Sequence, residues 1–176
     1  MVVYIKIIFL RGPSILKRTF HILDQKFKPY WKNYLFQTLC ATIFISLILL
    51  FFQMVDMIII ASIGASTFVL FAMPKYPQAR DRNLIGGQLM GLICGSLFSL
   101  VPHSSFYSDV MVDALAVGLT FLIMVLTDTE HPPAAGTALG MVVVGFSFEI
   151  AISVIASVML LSLIHRCLRR FLIDLV

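Results

Sequence analysis

The chain has 176 residues, of which 60% are apolar and only 12% are charged, and its mean hydropathy is +0.99. Because an average soluble domain carries roughly 25% charged residues, this composition excludes a water-soluble globule and leaves room for about five to seven membrane spans. Thirteen Lys and Arg against nine Asp and Glu give a net charge of +4. In so apolar a chain we interpret this excess as cytoplasmic-side anchoring, and we expect no nucleic-acid partner.

The first 32 residues predict a basic segment that lies on the membrane surface. Between residues 14 and 27, apolar side chains recur at helical spacing and charged side chains occupy the other faces. This pattern is typical of an interfacial amphipathic helix. The alternative is a flexible basic tail.

Apolar runs beyond residue 32, which are uncharged apart from Asp113 in the fourth, predict an all-α integral membrane protein with about six transmembrane segments. The runs cover residues 33–55, 57–73, 84–101, 110–127, 134–146 and 150–164. We therefore expect a transmembrane domain over residues 33–170, between the basic segment 1–32 and a short tail 171–176. The second and fifth runs are short and carry small residues or follow prolines, so irregular backbone is expected beside them.

The positions of Lys and Arg predict the orientation. Seven precede residue 33, three lie in residues 74–83, and three follow residue 164. Because Lys and Arg are retained on the cytoplasmic side, six crossings place all thirteen there, whereas four or five would leave some outside. We expect a bacterial inner-membrane protein with both termini in the cytoplasm.

The two halves of the chain predict a 3+3 inverted repeat. Residues 62–69 align with residues 132–139 at an offset of 70, with Ala65 matching Ala135 and Thr67 matching Thr137. Chance similarity between two stretches of small residues is the alternative. Interrupted helices at corresponding positions of inverted repeats are typical of secondary transporters, which bind their substrates near the membrane midplane.

Two short helices, starting near Gly64 and Ala134, are expected to meet N-terminus to N-terminus at the midplane. Each helix start presents unpaired N–H groups and about half a positive charge, so the pair can bind one small monovalent anion. The predicted substrate-binding residues are Ser62, Gly64, Ala65, Ser66, Thr67, Thr129, His131, Ala135, Gly136 and Thr137.

Gly87, Gly91 and Gly95 recur every four residues and predict a bare helical stripe that a neighbouring backbone can approach closely. We interpret this stripe as a packing surface, and we also expect a homodimer. Gln53 and Gln88 either line a polar cavity or, as single amides between helices more often do, hold helices together.

The acidic residues Asp128 and Glu130 next to His131 raise the possibility of a metal or acid–base site. Two prolines disrupt the helix that would align these side chains, and no second His or Cys is nearby, so we expect no metal and no cofactor. His131 has two further interpretations, a proton carrier coupled to anion movement or a hydrogen-bonded interior residue.

Three motifs in this order resemble the HPP family of integral membrane proteins: ASIGAS at residues 61–66, RNLIGG at 82–87 and TDTEHPPA at 127–134. The helix-breaking tripeptide His131, Pro132 and Pro133 carries the family's signature. The resemblance implies membrane transport, with nitrite as the substrate of some members, and no enzyme activity. It also implies four spans, which disagrees with the six predicted from charge.

Two functional classes remain open. The first is a transporter or channel for a small monovalent anion, with nitrite as the leading candidate. The second is a non-transporting membrane sensor or assembly scaffold whose small residues only pack helices. The expected partners are a small inorganic anion such as nitrite, membrane lipid and a second copy of the chain.

Overall fold

The structure is a computed structural model that describes residues 28–48, 50, 57–102 and 105–176. The predicted interfacial helix at residues 14–27 lies outside these residues. The chain divides into two units, Met1–Phe36 and Gln37–Val176. In the first unit, residues 28–36 are helical and mostly exposed.

The second unit is a bundle of helices. Its first helix, α1, covers residues 37–48. The helices that follow are α2 (Met57–Ala72), α3 (Asp81–Phe98), α4 (Phe106–Thr127), α5 (Ala134–Val144) and α6 (Phe148–Leu168), with short 3-10 turns η1 (Pro77–Ala79) and η2 (Arg169–Phe171). The described residues contain no strand, which confirms the all-helical prediction. The boundaries predicted for α2 to α6 differ from the observed ones by up to four residues.

Two of the described helices are long and apolar enough to cross a membrane, namely α4 and the combined stretch Phe148–Phe171. The 22 residues of α4 correspond to about 33 Å, the thickness of a hydrocarbon core. Large apolar side chains on α4, among them Leu115, Leu122 and Leu126, are more than half exposed. An apolar surface of this kind suits contact with lipid.

The short helix α5 lies between α2 and α3 and packs on both through glycines. A Cβ atom added at Gly136 would lie 3.2 Å from Cβ of Ser62, and one at Gly140 would lie 2.6 Å from Cγ1 of Ile59, so the backbone of α5 touches α2 directly. With its 11 residues, α5 is about 16 Å long.

The glycine stripe of α3 packs against the segment that leads into α5. A Cβ at Gly87 would lie 2.6 Å from Cβ of His131, and one at Gly95 would lie 2.6 Å from Cβ of Met141. The predicted close backbone approach is therefore observed, and the neighbour is this same chain. The stripe offers no free surface to a second copy, and the homodimer stays a prediction.

The helix start predicted near Gly64 is wrong. Helix α2 runs without interruption from Met57 to Ala72. A glycine inside a helix costs only about 0.5–1 kcal/mol, and an added Cβ at Gly64 would meet no atom within 4 Å, so no close approach requires glycine there. The start of α5 differs, because Pro132 and Pro133 turn the chain immediately before it.

The order of contacts along α3 gives the position of α5. Gly87, Gly91 and Gly95 approach residues 131, 134 and 138 in turn, so the segment from His131 onward runs parallel to α3. Gly91 is ten residues from the start of α3, which places the start of α5 about 15 Å along that helix. Helix α5 therefore begins near the middle of the bundle.

Candidate functional site

Five buried polar side chains meet where α2, α3 and the start of α5 come together. We call Ser62, Ser66, Gln88, His131 and Thr137 the polar cluster. None of them is more than 4% exposed. Because a buried polar group is costly unless it is hydrogen-bonded, the bonds within this cluster determine what it can do.

The hydrogen bonds of Ser62 and Thr137 connect three segments of the chain. The hydroxyl of Ser62 donates to the carbonyl of Pro133 at 2.5 Å and lies 2.8 Å from the hydroxyl of Thr137. Thr137 in turn donates to Oε1 of Gln88 at 2.5 Å. These contacts tie α2 to α5 and α5 to α3.

The other hydrogen bonds of the polar cluster centre on Ser66. Nε2 of Gln88 donates to Oγ of Ser66 at 2.9 Å and lies 3.4 Å from Oγ of Ser62. The single hydroxyl proton of Ser66 has two acceptors within reach, the carbonyl of Ser62 at 3.0 Å and Nε2 of His131 at 2.8 Å. Ser66 can therefore exchange one acceptor for the other by rotating its hydroxyl.

A second hydrogen bond, on the side of the ring away from Ser66, fixes the orientation of His131. Its Nδ1 lies 2.9 Å from the carbonyl oxygen of Gln78, in the turn η1. A carbonyl only accepts hydrogen bonds, so Nδ1 carries the proton and, in the neutral ring, Nε2 accepts from Ser66. The interpretation of His131 as a hydrogen-bonded interior residue fits this geometry.

The unpaired donors predicted at the start of α5 are absent. The N–H groups of Ala134, Ala135 and Gly136 donate to the carbonyls of residues 131, 132 and 133 at 2.9, 3.1 and 2.9 Å. The turn through the two prolines satisfies these donors. Together with the continuous α2, this overturns the predicted anion site built from two facing helix starts.

The predicted site residues separate into two groups. Ser62, Ser66, His131 and Thr137 come together in the polar cluster, and Gly136 packs against Ser62. The others lie apart from it. Ala65 is exposed, Gly64 and Ala135 are half-buried, the hydroxyl of Thr67 bonds to the carbonyl of Ile63 within α2, and Thr129 pairs with Thr127 at 2.8 Å.

Gln88 is the cluster member that the predicted site residues did not include. It contacts Ser62, Ser66 and Thr137, as many cluster partners as Ser62 and Ser66 each have. The available signal was a single amide in an apolar helix, one position after the glycine that faces His131. A cavity of about 80 Å³ between α3 and α6 is lined by Gln88 and apolar side chains.

Metal binding has no support among the described residues, where no three His, Cys, Asp or Glu side chains are grouped. The polar cluster itself contains one imidazole and otherwise hydroxyls and an amide. Such groups donate and accept hydrogen bonds to a small polar solute, and they bring no net charge with them.

The comparison with protein families decides what kind of protein carries this cluster. The model of the HPP transmembrane region matches residues 26–172. The chain belongs to the HPP transmembrane family. This membership and the apolar helices together show that the HPP chain is an integral membrane protein.

Two transmembrane proteins of Dictyostelium discoideum are similar to part of the HPP chain. One is 35% identical over 82 residues, which cover 47% of this chain and 29% of the relative. The other is 33% identical over 81 residues, 46% of this chain and 26% of the relative. The matched part spans less than a third of either relative, and no solved structure matches.

Proposed function

We propose that this HPP chain transports a small monovalent anion across the membrane along the polar cluster, and that nitrite is the first substrate to test. The observation that carries the proposal is the set of five hydrogen-bonded polar side chains buried between apolar helices. Polar groups inside a membrane protein are costly and typically mark the path of a substrate or ion.

The chemistry of the polar cluster favours a weakly held anion of low charge. The hydroxyls of Ser62, Ser66 and Thr137 and the amide of Gln88 supply donors, and no Lys or Arg belongs to the cluster. The donors already bond to one another, so an anion must displace these internal bonds to bind. Conduction requires such a balance, since a site that binds too tightly does not release its ion.

The resemblance to HPP proteins supports nitrite over other small anions. We further propose six crossings in a bacterial inner membrane, with the Lys- and Arg-rich end and both termini in the cytoplasm. The 3+3 repeat and the homodimer belong to this proposal as well, and we propose no enzyme activity.

Flux in proteoliposomes tests the proposal directly. We expect purified protein in liposomes to take up nitrite, and uptake of nitrate, formate, chloride and bicarbonate measured in parallel gives the selectivity. Gln88→Leu removes the amide but keeps the approximate volume, so we expect uptake to fall at least tenfold.

Ser96→Ala is the matched control. Ser96 also lies on α3, but its hydroxyl bonds only to the carbonyl of Leu92 in the same helix, and we expect normal uptake from this variant. Absence of flux for all five anions from folded protein would reject transport and favour the sensor or scaffold function. Equal uptake by the two variants would remove the polar cluster from the path.

A further inference from the structure

A second site lies at the Lys- and Arg-rich end of the bundle, apart from the polar cluster. A pocket of about 390 Å³ opens between η1, the start of α3 and the end of α6. We call it the basic pocket. Its charged and titratable lining residues are Lys75, Tyr76, Arg80, Asp81, Arg82, His165 and Arg169.

The charges of the basic pocket are unevenly paired. Asp81, its only carboxylate, already accepts from Ser162 and Arg166, each at 2.7 Å. Arg82 is held by Asp128 at 3.0 Å and by the carbonyl of Thr127.

Within the described ranges, three cations of the basic pocket have no carboxylate partner. Lys75, Arg80 and Arg169 form no ion pair with any residue in the described ranges. Lys75 makes one polar contact through its backbone, whose N–H donates to the carboxylate of Asp174 at 3.0 Å. The pocket therefore keeps a positive charge available to a ligand.

An independent observation indicates that a ligand completes this pocket. His165 lines it, is only 3% exposed, and its Nε2 has no hydrogen-bond partner among the described residues. Native proteins rarely leave a buried side-chain nitrogen unpaired, because such a group has lost its water without gaining a bond. An acceptor atom bound in the pocket would restore that bond.

We propose that the basic pocket binds a phosphate group. A phosphate offers several oxygens, enough to accept from the two free guanidinium groups, from the Lys75 ammonium and from the Nε2–H of His165 together. The helix start of α3, which has no side-chain cap, adds partial positive charge on the same side. Free phosphate and the headgroup of an anionic lipid share this chemistry, and the site is independent of the proposed transport.

The test uses the purified full chain and two probes. Inorganic phosphate is titrated against the protein in a neutral detergent, with chloride at equal ionic strength as the reference. Phosphatidylglycerol is compared with phosphatidylcholine in lipid nanodiscs, with retained lipid counted by native mass spectrometry. Binding of inorganic phosphate identifies free phosphate as a ligand, and retention of phosphatidylglycerol alone identifies the lipid headgroup.

Charge-matched variants separate the pocket from general positive charge. Arg80→Gln and Arg169→Gln should each weaken binding of the effective probe about tenfold. Arg170→Gln removes the same charge from the neighbouring position, where the guanidinium stacks on Phe171 at 4.7 Å and does not line the pocket, and it should bind normally. Equal weakening by Arg169→Gln and Arg170→Gln would overturn the proposal, as would the absence of binding by either probe.

His165→Phe tests the buried imidazole. It keeps a ring in the same space and removes the unpaired Nε2, so the thermal midpoint without ligand should stay the same or rise while phosphate binding weakens. Unchanged binding would remove His165 from the site. If this variant fails to fold, the exposed Arg80 and Arg169 variants still decide the proposal.

Discussion

At the residue scale, the two histidines that are buried in the described part of the chain have opposite environments. His131 is fully buried with both ring nitrogens bonded, to Gln78 and to Ser66. His165 is buried almost as deeply, but its Nε2 has no partner in the described part of the chain. The first is built into the fold, and the second is free to serve a ligand.

Replacing each histidine by phenylalanine tests this difference. His131→Phe leaves the Gln78 carbonyl without its bond, and each unpaired buried group costs about 1–3 kcal/mol. We expect the thermal midpoint in detergent to fall by roughly 5–10 °C. The control His165→Phe breaks no hydrogen bond of its Nε2 and should not lower the midpoint, and an equal loss in both variants would contradict the structural role of His131.

The sequence predicted most of the polar cluster but not its bonding. Ser62, Ser66, His131 and Thr137 stood out because hydroxyls and an imidazole are rare in apolar runs, and the structure brings them together. Gln88 was predicted only to line a polar cavity or to hold helices together, because a lone amide in a helix has the same pattern whether it bonds one neighbour or several. The hydrogen-bond partners of Gln88 depend on which helix packs against it. That helix is α5, and its position is set by the tertiary fold.

At the element scale, the same small-residue pattern leads to two different results. Pro132 and Pro133 end helical geometry physically, because a proline ring fixes its own backbone and lacks an N–H, so the start of α5 could be predicted. Gly64 only permits a break, and the apolar residues around it continue the helix. Packing decides the outcome for glycine, and packing is not visible in the local sequence.

The glycine stripe of α3 gives the second stability prediction. A Cβ at Gly95 would lie 2.5 Å from the carbonyl oxygen of Ala138 and 2.6 Å from Cβ of Met141. Gly95→Leu must therefore push α5 away from α3, and overpacking of this kind costs about 1–3 kcal/mol or more. We expect a lower thermal midpoint and partial loss of folded protein in size-exclusion chromatography.

Gly118→Leu on α4 is the matched control for Gly95→Leu. An added Cβ at Gly118 would meet no atom within 4 Å, and leucine is the better helix former by up to about 1 kcal/mol. This variant should be as stable as the original protein or slightly more so. Equal stability of the two leucine variants would show that α3 and α5 do not pack as closely as the glycine contacts indicate.

At the scale of the whole molecule, the described helices extend between two ends of one bundle. The turn η1 precedes α3 at the end that holds Arg80, Arg82 and Arg169, and the residues after α3 lead to α4 at the opposite end. The 18 residues of α3 correspond to about 27 Å, close to the thickness of a hydrocarbon core. Gln78 in η1 and Ser105 before α4 should therefore lie on opposite sides of the membrane.

Site-specific labelling tests this arrangement. In a background without Cys40, Cys94 and Cys167, a membrane-impermeant thiol reagent should reach Ser105→Cys from outside intact cells and Gln78→Cys only after the membrane is opened. The Gln78 substitution is a mild one, because His131 bonds to its backbone carbonyl and not to its side chain.

Two further cysteines calibrate the labelling. Leu100→Cys, which is 74% exposed, follows α3 and should label with Ser105→Cys, whereas Arg170→Cys in η2 should label with Gln78→Cys. Since Arg166 beside η2 bonds to Asp81 at the start of α3 at 2.7 Å, these two turns share one end of the bundle. Labelling of Gln78→Cys and Ser105→Cys from the same side would exclude α3 as a membrane crossing and, with it, the six-crossing arrangement on which the proposed orientation depends.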